Sequence, residues 1–157
     1  IVWYLSLLWF LIPVLLNQTV TELLQVPSKI FRQWYYPVGL NIEDPSDEEL
    51  ENPIVISFVF QKNENSTELT TFRAKAPVGM KLGRLFYFFI NDYNSRHPES
   101  TITFLDPDRS PYGWVFMKVK NRFFNTKEAI DPESSIYANE IRENDVLICN
   151  KIVNKEI

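Results

Sequence analysis

The sequence is poor in the residues that most often build reactive centres. Its 157 residues include one cysteine, one histidine and four glycines. One cysteine excludes a disulfide within the chain and a zinc site made of several cysteines, and one histidine excludes a metal site with two histidine ligands. No P-loop, dinucleotide-binding or HExxH motif occurs. We therefore expect no catalytic residues, no metal and no cofactor.

A strong positive charge is absent as well. The chain has 16 Lys and Arg against 20 Asp and Glu, a formal net charge of -4. Nucleic-acid-binding domains usually carry a basic patch or stripe, so we do not expect a nucleic-acid partner. The composition, 45% hydrophobic and 15% aromatic, is that of a chain that folds around a core.

Residues 1–16, IVWYLSLLWFLIPVLL, contain no charged side chain. Membrane-spanning helices need about 20 mainly apolar residues. The run is slightly short and begins at Ile1 without an initiator Met, which favours a transmembrane helix truncated from a longer protein. The alternatives are a cleaved signal peptide, although no basic segment precedes the run, and a buried helix of a soluble domain.

Residues 17–40 are predicted to be an interfacial amphipathic segment, because aromatic and basic residues are typical of membrane–water interfaces. The residues that carry this prediction are Trp34, Tyr35, Tyr36, Lys29 and Arg32. Residues 41–52 hold six acidic residues and no basic one. We interpret 41–52 as an acidic linker, which places a separate domain at 53–157.

The pattern of 53–157 predicts two strands, a helix and further strands. Apolar residues alternate over 54–60 and again over 67–76, with a polar turn between them, which indicates an antiparallel hairpin. Residues 80–95 have helical spacing, with one apolar face formed by Leu82, Leu85, Phe86, Phe89, Ile90 and Tyr93. Further strands are predicted at 101–106, 112–120 and 146–153. This order predicts an α+β fold of the β-grasp type.

In the C-terminal part, a hydroxyl residue and a hydrophobe, Ser135 and Ile136, are followed by Ile141 and by the alternating Leu147 and Cys149. This arrangement resembles the end of ubiquitin-like domains, in which a hydroxyl residue and a hydrophobe open a helical turn before the last strand. The resemblance implies that Ile136 and Ile141 close the end of the core, while Leu147 and Cys149 point inward.

The strand over 112–120 is apolar on both sides. Trp114 and Phe116 share one side, and Val115 and Met117 share the other. One helix covers one face of a sheet, so the other side of this strand is a candidate surface for protein interaction. Tyr87 and Phe88 lie off the core stripe of the helix and are candidates too. Alternatively, Trp34–Tyr36 packs against the sheet.

Isolated reactive residues have ordinary structural explanations. His97 stands at the predicted helix end before Pro98, and Cys149 lies in an apolar strand, where free cysteines are usually buried. Asp106 and Asp108 flank Pro107, which indicates a turn.

Five longer stretches of the chain carry a narrower resemblance: FRAKAPVGMKLGRLFYFFINDYNSRHPES, YGWVFMK, ENDVLICNKI, WYYP and DPSDEEL. They resemble the TssN family, membrane proteins of subtype iii type VI secretion systems. The resemblance implies a structural subunit of the bacterial inner membrane with a cytoplasmic C-terminal domain. It further implies that other membrane-complex or baseplate proteins are the partners, within a larger oligomeric assembly.

Two other functions stay open at this point. The chain could be the regulatory or gating domain of a transporter or channel, although 1–16 lacks the polar residues that membrane transport sites use. An enzyme would require a catalytic part upstream of Ile1.

Overall fold

The structure, a computed structural model, describes residues 2–25, 31–40, 42–63, 68–121 and 126–152. The chain divides into two units, Ile1–Ile30 and Phe31–Ile157. Within the described residues, the first unit is one helix, α1 (Val2–Gln25), and the second combines a helix with a mixed sheet. The predicted α+β class is confirmed.

Helix α1 continues beyond the apolar run and into polar sequence. It passes through Pro13 and Leu16 and then includes Asn17, Gln18 and Thr19. In the described part of the chain, we find no helix with the length and apolarity needed to cross a membrane. The transmembrane helix over 1–16 stays a prediction.

The second unit contains six strands and a helix within its described residues. In chain order they are β1 (Trp34–Tyr35), β2 (Pro53–Phe60), β3 (Thr70–Pro77), α2 (Leu82–Arg96), β4 (Gly113–Asn121), β5 (Thr126–Ile130) and β6 (Val146–Ile152).

The strands form one sheet in the order β1-β4-β6-β2-β3. Strand β5 also pairs with β4, along residues that follow those paired with β1. The hairpin of β2 and β3 is antiparallel, with Ile54 opposite Ala76, as the alternation predicted. Strand β6 lies between β4 and β2, antiparallel to the first and parallel to the second. Strand β6 therefore occupies the middle of the sheet.

Helix α2 packs on one face of the sheet through Phe86. The Phe86 ring lies 5.0 Å from Trp114, 5.1 Å from Phe116 and 5.2 Å from Phe58, in edge-to-face contacts. Such pairs add to the stabilisation from area burial alone. Four predicted residues of the helix stripe are buried: Leu82, Leu85, Phe86 and Ile90. Because α2 covers this face, we call it the inner face of the sheet.

The C-terminal residues implied by the ubiquitin-like resemblance are also in the core. Ile136, Ile141, Leu147 and Cys149 are all buried and belong to the same apolar cluster as Phe86. The backbone holds the turn in place, since Ile136 N donates to Met80 O at 2.9 Å and Ile141 N donates to Ile136 O at 3.1 Å. Their predicted inward position is confirmed.

Residues N-terminal to 53 complete the second unit. Trp34 in β1 pairs with Trp114 and packs its ring 5.5 Å from Phe86. A Cβ atom at Gly83 would lie 2.5 Å from Trp34 Nε1, so the first turn of α2 needs glycine to admit the indole. The compact unit thus begins at Phe31, earlier than the predicted domain boundary at Pro53.

Residues 101–106 do not form the predicted strand. Apart from one bridge between Leu105 and Pro111, they lie outside the sheet. The Asn94 side chain binds both backbone groups of Ile102, donating to its carbonyl at 3.1 Å and accepting from its N–H at 2.7 Å. These bonds take the place of strand pairing at that residue.

Candidate protein-docking surfaces

Strand β4 separates the predicted interaction residues into two groups. Trp114 and Phe116 are 0% exposed and lie in the aromatic core under α2. Neither side chain is accessible to a partner while the unit is folded. The prediction that these two residues contact a partner is therefore corrected, because α2 and β1 already occupy their side of the strand.

Val115 and Met117 point to the other side of β4, which we call the outer face. The residues of β2, β4 and β6 that alternate with core residues make this face. Its apolar members are Val55, Val59, Val115, Met117, Val119, Val146 and Ile148, and Ser57 and Asn150 are polar residues on the same side. Met117 stands opposite Ile148, which in turn stands opposite Val59. Apolar side chains thus continue across three neighbouring strands.

The outer face is partly accessible. Val146 is 39% exposed, and all other apolar members except Val115 are half-buried. Val115 is buried, although it does not belong to the core cluster around Phe86. Contiguous apolar surface that stays accessible is typical of interaction sites.

Tyr35, which the sequence predicts to be a membrane-interface residue, borders the outer face of the sheet. It pairs with Gly113, where an added Cβ would lie 3.4 Å from a Tyr35 ring carbon and 2.6 Å from Gln33 Oε1. The Tyr35 hydroxyl donates to Gln33 Oε1 at 2.7 Å. Strand β1 therefore carries Trp34 to the inner face and Tyr35 to the outer edge of the same sheet.

Three more of the predicted membrane-interface residues, Trp34, Tyr36 and Arg32, take part in the second unit. Trp34 and Tyr36 are buried, and the Tyr36 ring stacks 3.9 Å from Phe104. Burial raises the pKa of the Tyr36 phenol, whose hydroxyl donates to Asn91 Oδ1. Arg32 pairs with Asp131 at 3.2 Å. The alternative that this aromatic flank packs against the sheet fits Trp34 and Tyr36; Lys29 lies outside the described residues.

Tyr87 and Phe88 extend the aromatic cluster along the side of α2. The Tyr87 ring lies 5.2 Å from Tyr36 and 5.3 Å from Phe88. Phe88 is half-buried beneath the Arg84 guanidinium, 5.7 Å from its ring centre. Phe88 also lines a cleft of about 880 Å³ between α2 and β3. Of the predicted residues on α2, Phe88 is thus the one at a second candidate surface.

The residues with reactive side chains occupy structural positions. The His97 ring stacks on Tyr93 at 4.3 Å, and burial raises the pKa of the Cys149 thiol well above its ordinary value. Asp106 Oδ1 accepts the Ser110 N–H at 2.8 Å, which forms the predicted turn. Among the described residues, no group of three or more His, Cys, Asp or Glu is placed to hold a metal ion.

Sequence reasoning missed the contribution of β2 and β6 to the outer face. The pattern contained the information, because Val55 and Val59 alternate with the core residues Ile54, Ile56 and Phe58. The prediction used the alternation to find the buried side and did not follow the apolar residues of the opposite side. The cleft depends on the spacing of α2 and β3, which no local pattern contains.

These surfaces define an α+β module whose accessible features suit protein contact. A profile of the TssN family, described as "Type VI secretion system, TssN", matches residues 1–152. The chain belongs to the TssN family and is a component of a type VI secretion system. Comparisons with curated proteins and with solved structures gave no match.

Proposed function

We propose that this chain is a structural, membrane-associated subunit of a type VI secretion machine. In this proposal, the second unit docks other membrane-complex or baseplate subunits through the outer face. The observation that carries the proposal is the row of apolar side chains on β4, β6 and β2, which the sheet leaves partly accessible. Family membership supports the choice of secretion-system proteins as partners.

The second unit is proposed to be a β-grasp domain of the ubiquitin-like kind. Its element order supports this assignment: an antiparallel hairpin, a helix, and a final strand that lies parallel to the first hairpin strand. A sheet with one covered face suits a docking role. Packing against α2 on the inner face holds the strands in place, so the residues of the outer face are held in position for a partner.

Membrane association is proposed to reside in α1. The helix has no charged residue before Glu22, and Trp9, Leu11, Val14 and Leu15 are exposed on it. A single helix cannot bury these side chains by itself, so they need an apolar environment from elsewhere. We place the second unit on the cytoplasmic side of the inner membrane, as the family resemblance implies.

The docking proposal is tested by single Asp substitutions on and off the outer face. Met117→Asp and Val146→Asp put a charge into the proposed contact, while Tyr137→Asp changes a side chain that is 79% exposed and outside the outer face. We expect the first two variants to lose type VI secretion in cells while the chain remains folded and at normal abundance. Tyr137→Asp should secrete as the wild type does.

Normal secretion by both outer-face variants would overturn docking through this surface. The circular dichroism melting curve of each purified variant separates loss of docking from loss of folding, because a charge on the outer face leaves the aromatic core unchanged.

A further inference from the structure

Strand β3 forms an edge of the sheet. In the described part of the chain, β3 pairs with β2 alone. In an antiparallel pair, alternate residues direct their N–H and C=O groups away from the partner strand. An edge of this kind is a template for one more strand.

An apolar cleft runs beside this edge. It lies between β3 and α2, has a volume of about 880 Å³, and is lined by Phe72 and Ala74 from β3 and by Leu85, Phe88 and Phe89 from α2. Phe72 and Ala74 are two residues apart and are both half-buried. The side chains of an added strand alternate with the same period, so every second one would enter the cleft.

Strand β3 itself carries positive charge. Arg73 and Lys75 alternate with Phe72 and Ala74, are exposed, and make no ion pair among the described residues. Arg73 donates to Asn144 Oδ1 at 3.3 Å. The one carboxylate that lines the cleft, Asp92, is paired with Arg96 at 2.8 Å. The edge therefore favours an acidic occupant.

The chain's own acidic stretch already meets one end of the cleft. Pro45 and Leu50 are among its lining residues. The same stretch is held by Arg84, which pairs with Glu49 at 3.1 Å and donates to Glu43 O at 2.8 Å. Apolar side chains within acidic sequence are thus compatible with this surface.

We propose that the cleft binds an extended acidic segment of a partner protein as an additional strand on β3. Backbone hydrogen bonds to the free edge supply affinity, alternate apolar side chains enter the cleft, and the acidic side chains between them face Arg73 and Lys75. This site goes beyond the docking proposed for the outer face and does not depend on it. Arg73 and Lys75 stand opposite Ser57 and Val55 on the outer side of the sheet, but the cleft is lined from the inner side by Phe72, Ala74 and α2.

Basic residues on an edge strand have a second effect, which the experiment must separate. Lysine at an edge also discourages edge-to-edge aggregation between copies of a protein. In that case Arg73 and Lys75 would keep the edge free, and acidic strands would bind no better than other strands.

The test is a fluorescence anisotropy titration of the full chain in detergent micelles. The probe is a short labelled peptide in which isoleucine and glutamate alternate, and the control peptide has lysine in place of glutamate. We expect the acidic peptide to bind at least about tenfold more tightly than the lysine peptide, a difference of roughly 1.4 kcal/mol. The double variant Arg73→Glu, Lys75→Glu should remove this preference.

Lys127→Glu is the matched control, because Lys127 is an exposed residue on β5, away from the cleft. It should bind the acidic peptide as the wild type does. Hydrogen exchange of the complex should be slowed at alternate amides of Thr70–Pro77. Absence of binding, equal binding of both peptides, or binding without slower exchange in β3 would overturn the proposal. Slower exchange of β3 on raising the protein concentration without peptide would also overturn it, since a second copy would then occupy the edge.

Discussion

The two faces of the sheet differ in the kind of apolar side chain they carry. The inner face is aromatic and closed: Phe58, Phe60, Trp114 and Phe116 are at most 1% exposed and meet α2. The apolar residues of the outer face are valine, isoleucine and methionine, most of them half-buried. Both faces are apolar in sequence, so hydrophobicity alone does not identify the core. The position of α2 and β1 decides which face is closed.

The largest effect is expected from removing β1, which would show how much of the closed face lies before residue 53. A fragment starting at Asn41 lacks Trp34 and Tyr36, which are both buried in the core. Loss of one large buried aromatic costs about 3–5 kcal/mol, and domains of this size have roughly 5–15 kcal/mol in total. We expect this fragment to be largely unfolded, whereas a fragment starting at Phe31 folds.

Circular dichroism with urea unfolding of the two fragments measures the difference. Equal unfolding midpoints would mean that the packing of Trp34 and Tyr36 contributes little, and the predicted domain boundary at 53 would then describe the stable unit better.

Two residues on opposite sides of β4, Trp114 and Met117, allow a direct comparison of the two faces. Trp114→Ala should destabilise the second unit by about 3–5 kcal/mol, because Trp114 is 0% exposed. Met117→Ala should cost less than about 1 kcal/mol, since its partly exposed side chain leaves no closed cavity. Denaturant unfolding of both variants provides the measurement. A larger loss for Met117→Ala than for Trp114→Ala would exchange the roles of the faces.

An intermediate effect is expected where Trp34 of β1 packs against Gly83 of α2. The methyl group of Gly83→Ala would meet the Trp34 indole at 2.5 Å. Overpacking of this kind typically costs about 1–3 kcal/mol. Gly79→Ala is the matched control, because nothing lies within 4 Å of an added Cβ there. Melting temperatures of the two variants give the comparison; identical values would show that the indole moves aside freely.

The smallest effect is a pH dependence at Asp131, near the edge of the closed face. Burial is the largest single influence and raises the Asp131 pKa, but the N–H of Glu133, the Ser134 hydroxyl and the Arg32 guanidinium together lower it more, so the net pKa is below its usual value. The resulting stability is present above the unfolded-state pKa and is lost as pH falls through the lowered folded-state pKa. Because the Asp131 side chain is 39% exposed and solvent screens its charge, we expect only a modest loss.

Asp131→Asn should reduce the fall in melting temperature between neutral pH and strongly acidic pH. Glu99→Gln, at an exposed loop residue, should leave that fall unchanged. If both variants behaved as the wild type does, the bonds to Asp131 would make no net contribution to folding.

Much of the second unit could be predicted from periodicity. The alternation around Phe58 and the helical stripe around Phe86 agree with the structure. These predictions succeeded because burial on one side of an element imposes a period on the sequence.

The remaining features depend on contacts distant in sequence. Strand β1 has two residues, too few for a period, and Trp34 is placed by its pairing with Trp114. Strand β5 is mostly exposed, so its sequence lacks an apolar alternation. The 101–106 segment has strand-like composition, but its Ile102 backbone is bound by Asn94 instead. For the candidate site, the sequence indicated a two-sided β4 without indicating which side was open.

The outer face as a docking surface is tested most directly by site-specific photocrosslinking in cells with an active secretion system. A photoreactive residue at position 117, in place of Met117, should crosslink to another type VI secretion subunit identified by mass spectrometry. The same residue in place of Tyr137, which is more exposed but lies off the outer face, should give no such product. The absence of a secretion-system crosslink at 117, or the same product at both positions, would contradict the account.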